Sequence, residues 1–475
     1  MQSAALQAAL WEIWSNFTQA LTPIGHIAQP NTAVAMATDS PITLRVFSLN
    51  CWGIRYRSPH CSLRYHMIAE LLASEKHDVV LLQEVWSEQD YLFLKKQLIC
   101  THPHSHYFKS GVIGSGLAVF SKHNLQDSFL YRYSLNGYPY MAHHGDWFGG
   151  KAVGLVIFNV CGLTAHVYVT HLHAEYCRDK DSYLPHRVVQ AWELQQFVRH
   201  TSRGADLVIL GGDLNMHPQD LGTRLLLTYT GLRDCYAETE QFDGCEEGRT
   251  LIAENPFTDK KELIPFEKGI RIDYIFFKGS SRVCVKCKLF STTKGSVPGK
   301  PFPYSDHEAL SAELLLLPQQ TVDPNGAELH SCDTDALAEL VDTVTEARTE
   351  VKVGLHCAER MRHTSARTGL LGLVLLMLEL AIGVVPWLTP GTQQPFPQAS
   401  FYLLGVLCLA TLLSALLLYI FYCTQVKALQ AAEDQMHLAV GGLQEKLHGR
   451  PLGRPGDPYY EALAFSQPMP LDPEE

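Results

Sequence analysis

Basic residues are scarce in this 475-residue chain: 38 Lys and Arg stand against 49 Asp and Glu, a formal net charge of -11. That balance argues against general affinity for nucleic acid, whose phosphate backbone selects cationic surfaces. Over the first forty residues Lys and Arg are absent, and the short apolar stretches are broken by Pro23 and Pro30. Both the charged start of a secretory leader and the Arg-rich face of a transit peptide are therefore missing. The expectation for residues 1–40 is a loose, amphipathic extension with no assigned role. The sequon Asn16-Phe17-Thr18 within it matters only if that end is extracytosolic. A disulfide framework is lacking too: the 13 cysteines are odd in number and scattered without regular spacing, as expected of reduced thiols facing cytosol. Cys284-Val285-Lys286-Cys287 is a lone CxxC with no second pair nearby, closer to a strand with two ordinary cysteines than to a zinc site. Ser110 to Gly116 is glycine-rich but leads into a strand rather than a helix, so it lacks the context of a phosphate-binding loop.

A composition of 46% hydrophobic and 18% charged residues is that of a folded protein. From Pro41 to Leu317 short apolar runs alternate with amphipathic stretches. Thr43 to Leu49, Val79 to Leu82, Leu117 to Phe120, Val153 to Phe158 and Val167 to Thr170 read as strands. Leu63, Met67, Ile68, Leu71 and Leu72 fall at helical spacing, as do Val188, Trp192, Leu194 and Phe197. Many strands with a few helices between them predict a layered α/β domain over 41–317. Pro318 to Gly326 carries turn chemistry and marks a boundary, followed over 318–366 by a linker and a charged helix. Two apolar runs, Thr368 to Leu388 and Phe401 to Tyr422, are each long enough to cross about 30 Å of hydrocarbon. They predict two membrane spans within 367–423, two buried core helices being the lesser reading, and a Pro/Gly-rich tail within 424–475.

The residues that end the apolar runs carry chemistry. Asn50 follows Val46 to Leu49, Glu84 follows Val79 to Leu82, Asp213 and Asn215 follow Leu207 to Leu210, and Asp273 lies inside Ile272 to Phe277. Asp306-His307 stands near the end of the same region. Carboxylates and amides at the ends of separate strands can gather a hard cation and a phosphate in one cleft. Glu84 is the candidate metal ligand. Asp213 and Asn215, two apart on an extended segment, point the same way, and Gly211-Gly212 before them lets the backbone approach a ligand. His307 is the candidate general base because its ordinary pKa lies near neutrality, with Asp273 as the carboxylate that would fix its tautomer. Alone, Asp306-His307 would read equally well as a polar loop. Gly137 to Gly150 carries Tyr138, Tyr140, Trp147 and Phe148, whose faces could hold a quaternary ammonium, enter lipid headgroups, or pack a core. Lys151, next in line, could offer charge to a phosphate or stand exposed.

These residues match a known pattern. Leu49-Asn50, Gln83-Glu84, Thr170-His171, Gly212-Asp213-Leu214-Asn215, Arg271-Ile272-Asp273-Tyr274 and Ser305-Asp306-His307 resemble, in order and spacing, the DNase I-like endonuclease/exonuclease/phosphatase superfamily. Asn50-Cys51-Trp52-Gly53, Glu84-Val85-Trp86-Ser87-Glu88-Gln89-Asp90, Asn136-Gly137-Tyr138-Pro139-Tyr140, His143-His144-Gly145-Asp146-Trp147-Phe148 and Thr170-His171-Leu172-His173-Ala174-Glu175-Tyr176 are similar to the neutral sphingomyelinases. The likeness is to their small, magnesium-dependent animal form with two C-terminal spans. It implies a four-layer sandwich of two β-sheets flanked by helices, with a transmembrane hairpin. It implies hydrolysis of sphingomyelin to ceramide and phosphocholine with Mg2+ as cofactor. Carried over, Glu84 is the main Mg2+ ligand with Asn50 and Asp306 near the cation. Asp213 and Asn215 orient water and phosphate, His171 contacts the phosphate or the leaving group, and His307 with Asp273 forms the general base. His173 reads as a supporting histidine. Tyr138, Tyr140, Trp147 and Lys151 are expected around the substrate.

A choline lysophospholipid such as lyso-platelet-activating factor shares the headgroup and is the nearest alternative substrate. A nuclease, an inositol phosphatase and a non-enzymatic scaffold fit the acidic balance, the two spans and the intact set of ionisable residues less well. Arg360, Arg362 and Arg367 precede the first apolar run, Lys427 follows the second, and the connector has no basic residue. The positive-inside rule then places both flanks and the catalytic domain in cytosol, at the endoplasmic reticulum or plasma membrane. Glu379, inside the first run, is expected to be protonated or bonded to a polar group such as Ser414.

Overall fold

The computed structural model describes residues 41–261, 263–319, 334–388 and 397–448. The expectations for residues 1–40, for the connector from Thr389, for the boundary turn after Gln319 and for the tail after His448 lie outside the described residues.

Two sheets form the heart of the chain. The first has seven strands: β1 (Ile42–Asn50), β2 (Val79–Gln83), β3 (His104–Phe108), β4 (Leu117–Ser121), β10 (Gln241–Asp243), β14 (Val283–Thr292) and β15 (Leu310–Pro318). Their order is β10-β14-β15-β1-β2-β4-β3. The second has six: β5 (Leu125–Arg132), β6 (Ala152–Val160), β7 (Leu163–His171), β8 (Leu207–Asp213), β9 (Arg233–Asp234) and β13 (Asp273–Gly279), ordered β5-β6-β7-β8-β13-β9. A small ribbon, β11 (Leu251–Ile252) with β12 (Gly269–Ile270), completes the strands.

The period of two along each strand builds the layers. On β1 and β2, Leu44, Val46, Val79 and Leu81 face Val167, Val169, Ile209 and Ile275 of the other sheet. Phe47, Leu49, Val80 and Leu82 turn outward onto helices α1 (Cys61–Glu75) and α2 (Glu88–Leu98). The second sheet turns Leu155, Tyr168, Leu210 and Phe276 onto α3 (Leu184–Thr201) and α4 (Leu221–Thr230). Burial on both faces is why these strands are continuous apolar runs rather than alternating ones. The result is the expected four-layer sandwich. In the lone CxxC, Cys287 is buried in the inter-sheet core while Cys284 is half-buried. Strand residues three apart point to opposite faces and cannot share a metal.

Two long helices follow, α5 (Thr334–Leu388) and α6 (Gln398–Leu447), each including an apolar stretch long enough to span a membrane. Their polar ends do not stand apart from the sandwich. Val341, Val344 and Val351 of α5 and Val426, Leu429 and Met436 of α6 share one buried cluster with Val188, Val189 and Trp192 of α3 and Leu225 of α4. Trp192 Nε1 donates to Gln435 Oε1 at 3.0 Å, and Arg224 pairs with Glu346 at 2.6 Å. Along the apolar parts Gly369 faces Ala415, Gly372 faces Leu412, Glu379 faces Gly405 and Gly383 faces Phe401, small residues admitting close approach of the helices. This antiparallel register sets Glu379 against Gly405 and leaves Ser414, its expected partner, well along the helix.

Candidate active site

Strand register brings one end of both sheets together. Asn50 closes β1 beside Gln83, and Glu84 follows β2 at once. His171 at the end of β7 pairs with Asp213 at the end of β8, and Asp213 pairs with Asp273 at the start of β13. His307 precedes β15, whose first residues run beside the end of β1. Six residues from distant parts of the chain thus converge. Their local backbone is unusual: φ is +56° at Glu84, +47° at Trp52 and +50° at Asn215. A bulky residue in the left-handed region is costly and tends to mark function. Gly212, at φ +146°, lies so close to the Thr170 carbonyl that a Cβ would collide with it.

At the centre, Asn50 Nδ2 donates to Asp213 Oδ2 at 3.0 Å and Glu84 Oε1 at 3.3 Å, and lies 3.4 Å from His307 Nε2. Asn50 Oδ1 accepts from Trp52 N at 3.0 Å, so the carboxylates face the nitrogen of its side-chain amide. His307 Nδ1 is 2.8 Å from Asp273 Oδ2, leaving Nε2 aimed toward Asp213, 4.0 Å away. Burial would depress the His307 pKa, but the Asp273 carboxylate, by charge and hydrogen bond, holds it well above the ordinary value, helped by Asp306 and Asp213. Burial opposes ionisation of Asp213, yet His171, His307 and Lys151 keep its carboxyl below the usual range. Asn215 N donates to Asp213 Oδ1 at 2.9 Å, while its side-chain amide donates to Leu172 O at 3.0 Å.

A second cluster adjoins the first. Lys151, 2% exposed, lies 2.7 Å from His171 Nε2 and 3.1 Å from Asp146 Oδ1. It is therefore buried, and the exposed-lysine reading does not hold. Asp146 also accepts from Tyr176 Oη at 2.5 Å. Burial opposes its charge, but His173, Lys151 and the Tyr176 hydroxyl hold its carboxyl well below the usual range. Burial pushes His173 down to about 4, leaving a neutral ring stacked on Tyr183. The sequence pattern gives Asp146 no role; its ion pair with the buried Lys151 supplies one.

These groups line a cleft of about 670 Å³ whose walls include Trp52, Glu84, Trp86, Asp146, Lys151, His171, Asp213, Asn215, Asp306 and His307. Trp52 and Trp86 lie in the motifs around Asn50 and Glu84, whose polar residues overshadow them in the sequence. The cleft does not include Tyr138, Tyr140 or Trp147. Tyr138 stacks on Tyr140 and packs against Phe421 and Tyr422 of α6, and Tyr140 Oη meets Tyr422 Oη at 2.7 Å. Trp147 rests edge-on against Phe148.

The donor set suits a divalent cation. Asp213, Asp273 and His307 present ligand atoms within 4.8 Å of one another. Since His307 Nδ1 is engaged by Asp273, those two are better read as an acid–base pair. The oxygen-rich wall of Glu84, Asp213 and Asp306 is the harder donor set. Glu84 has both oxygens oriented, Oε1 by Asn50 and Oε2 by Trp86 Nε1 at 3.3 Å.

A two-sheet sandwich with a buried histidine–aspartate pair and a carboxylate-lined cleft at its strand ends defines a phosphate-ester hydrolase. The chain belongs to the Endonuclease/Exonuclease/phosphatase family, whose sequence profile matches residues 47–307. It is 46% identical to Sphingomyelin phosphodiesterase 2 of Homo sapiens over 383 residues, 78% of this chain and 89% of that one. With Sphingomyelin phosphodiesterase 2 of Mus musculus it shares 48% over 343 residues, 72% of this chain and 81% of the other. The crystal structure of sphingomyelinase C from Streptomyces griseocarneus is similar with a TM-score of 0.45 and 19% identity, covering 57% of this chain and 99% of that one.

Proposed function

We propose that the protein is a Mg2+-dependent phospholipase C that hydrolyses sphingomyelin to ceramide and phosphocholine at a membrane. The observation that carries the reading is the His307–Asp273 pair, 2.8 Å apart, with Nε2 aimed into a cleft also walled by Glu84, Asp213 and Lys151. The names of the curated relatives supply the lipid, and the two apolar helices supply the membrane.

When bound, a divalent cation supplies positive charge to the phosphoryl oxygens. Glu84 would hold it, with Asp306 beside it; Asn50, whose amide nitrogen faces the carboxylates, would orient Glu84 rather than ligate the cation. His307 Nε2 takes the proton of the attacking water, and Asp273 fixes the ring so that Nδ1 carries its hydrogen. Asp213 and Asn215 orient that water. Lys151 and His171 face the charge that develops on the phosphoryl group, where pre-set donors act most strongly. Trp52 and Trp86 offer aromatic faces to the quaternary ammonium.

Purified full-length protein in mixed micelles tests the reading against sphingomyelin and lyso-platelet-activating factor. Phosphocholine release from sphingomyelin should vanish with EDTA and return with Mg2+. Full activity after EDTA would remove the metal from the mechanism, and faster turnover of the lysolipid would move the substrate to that class.

A further inference from the structure

The lining of the cleft includes large apolar side chains left exposed among its polar ones. Ile54 and Tyr56 follow β1, Ile113 lies between β3 and β4, Tyr176 follows β7, and Ile264 and Phe266 lie between β11 and β12. All six line the cleft, yet their exposures run from 37% at Ile54 to 100% at Tyr56. Four separate loops contribute, so the feature is a rim rather than one exposed side chain. Exposed apolar side chains gathered from several loops round one opening mark an interaction surface.

The identity of the partner follows from where the rim is tied. Tyr422 closes the second apolar run, and tyrosines at such a position sit at headgroup level. Its hydroxyl meets that of Tyr140, 2.7 Å away. The loop that carries Tyr140 continues into His143, His144 and Asp146 in the cleft wall. Arg57 Nη1 donates to His143 O at 3.1 Å, joining the loop of Ile54 and Tyr56 to it. Ile113 N donates to Phe148 O at 3.1 Å, joining the loop of Ile113 to it as well. One connected set of loops therefore runs from the end of the span to two of the four loops of the mouth.

We propose that this rim sits in the headgroup–acyl boundary of the bilayer that holds the hairpin, so that a lipid enters the cleft without crossing water. The proposal rests on the membrane reading above. An anchored rim removes the step of lifting a two-chain lipid from its leaflet, which would expose its methylenes to water.

The test uses the full chain reconstituted in phosphatidylcholine vesicles, with a fluorescent amino acid placed singly at Tyr56, Ile113 or Ile264. The control is Ile99, 50% exposed at the far end of α2. Vesicles of lipid brominated along the acyl chain should lower emission at the three rim positions about twofold and leave Ile99 unchanged, as expected for side chains about 5–10 Å into the boundary. Quenching no greater than at Ile99 overturns the proposal. So does emission that follows protein density but not bromine, which would show a second copy covering the rim. The readout needs no catalysis, so a chain that fails to cleave sphingomyelin can still pass, and an active one can still fail.

Discussion

Burial disfavours the charged form of His307 while Asp273, Asp306 and Asp213 favour it, so these carboxylates set how readily Nε2 takes up a proton. That competition makes Asp273 the most sensitive support of the site. Asp273→Asn keeps the shape but removes the charge that fixes the ring. We expect kcat to fall by about 10²–10³ with KM little changed, measured by steady-state turnover of a choline lipid. Glu84 carries a different tension, since a β-bonded side chain at φ +56° is strained. Glu84→Gly relieves roughly 1 kcal/mol of backbone cost while removing the proposed cation ligand. A melting temperature equal to or above that of the parent, with activity lost, is the expected pair of results. A large fall in melting temperature would show that Glu84 holds the fold instead. Lys151→Met should leave the buried Asp146 short of a partner and cost about 1–3 kcal/mol of stability, read as a lower unfolding midpoint.

At the scale of elements, the docked ends of α5 and α6 change what a truncation would do. The sequence invites a cut near Gln320 to free a soluble catalytic domain. The structure puts Val188, Val189, Trp192 and Leu225 under those helices, so the cut uncovers a contiguous apolar face. We expect the fragment 41–318 to self-associate, and light scattering would reveal it; a monodisperse, soluble fragment would show the docking to be dispensable. Gly354 gives a milder test, because a Cβ there would press into Pro185 of α3. Gly354→Val should loosen the contact at a cost of about 1–3 kcal/mol, seen as faster hydrogen exchange in α3. Tyr138 and Tyr140 belong to this same contact, which accounts for aromatic side chains in a glycine-rich loop without placing them in the cleft.

For the whole molecule, the continuous helix α5 carries a docked segment, the basic residues Arg360, Arg362 and Arg367, and an apolar span. Charge on both flanks predicts that the catalytic domain and both helix ends share the cytosolic side. Glycosylation acceptors introduced into residues 389–400 should be modified in microsomes, and acceptors before Asn50 should not. Modification near Asn50 would reverse the orientation. Much of this molecule was legible in the sequence because it is local. A strand buried on both faces must be an apolar run, a span must be long and uncharged, and a residue closing such a run sits at a sheet edge. Asn50, Glu84 and Asp213 were legible as candidates on those grounds, and Asp273 and His307 chiefly on the likeness of their motifs. Other features depend on which surfaces meet, and sequence spacing carries no record of that. Lys151 became a buried partner of Asp146 and His171 only when two strands and a turn closed around it. Tyr138 and Tyr140 were drawn to α6 because an apolar helix face nearly three hundred residues away needed covering. Glu379 met Gly405 rather than Ser414 because small residues, not polar ones, set the helix register. Chemistry was written into local patterns, while partnership was decided by packing, which acts between surfaces that the chain order leaves far apart.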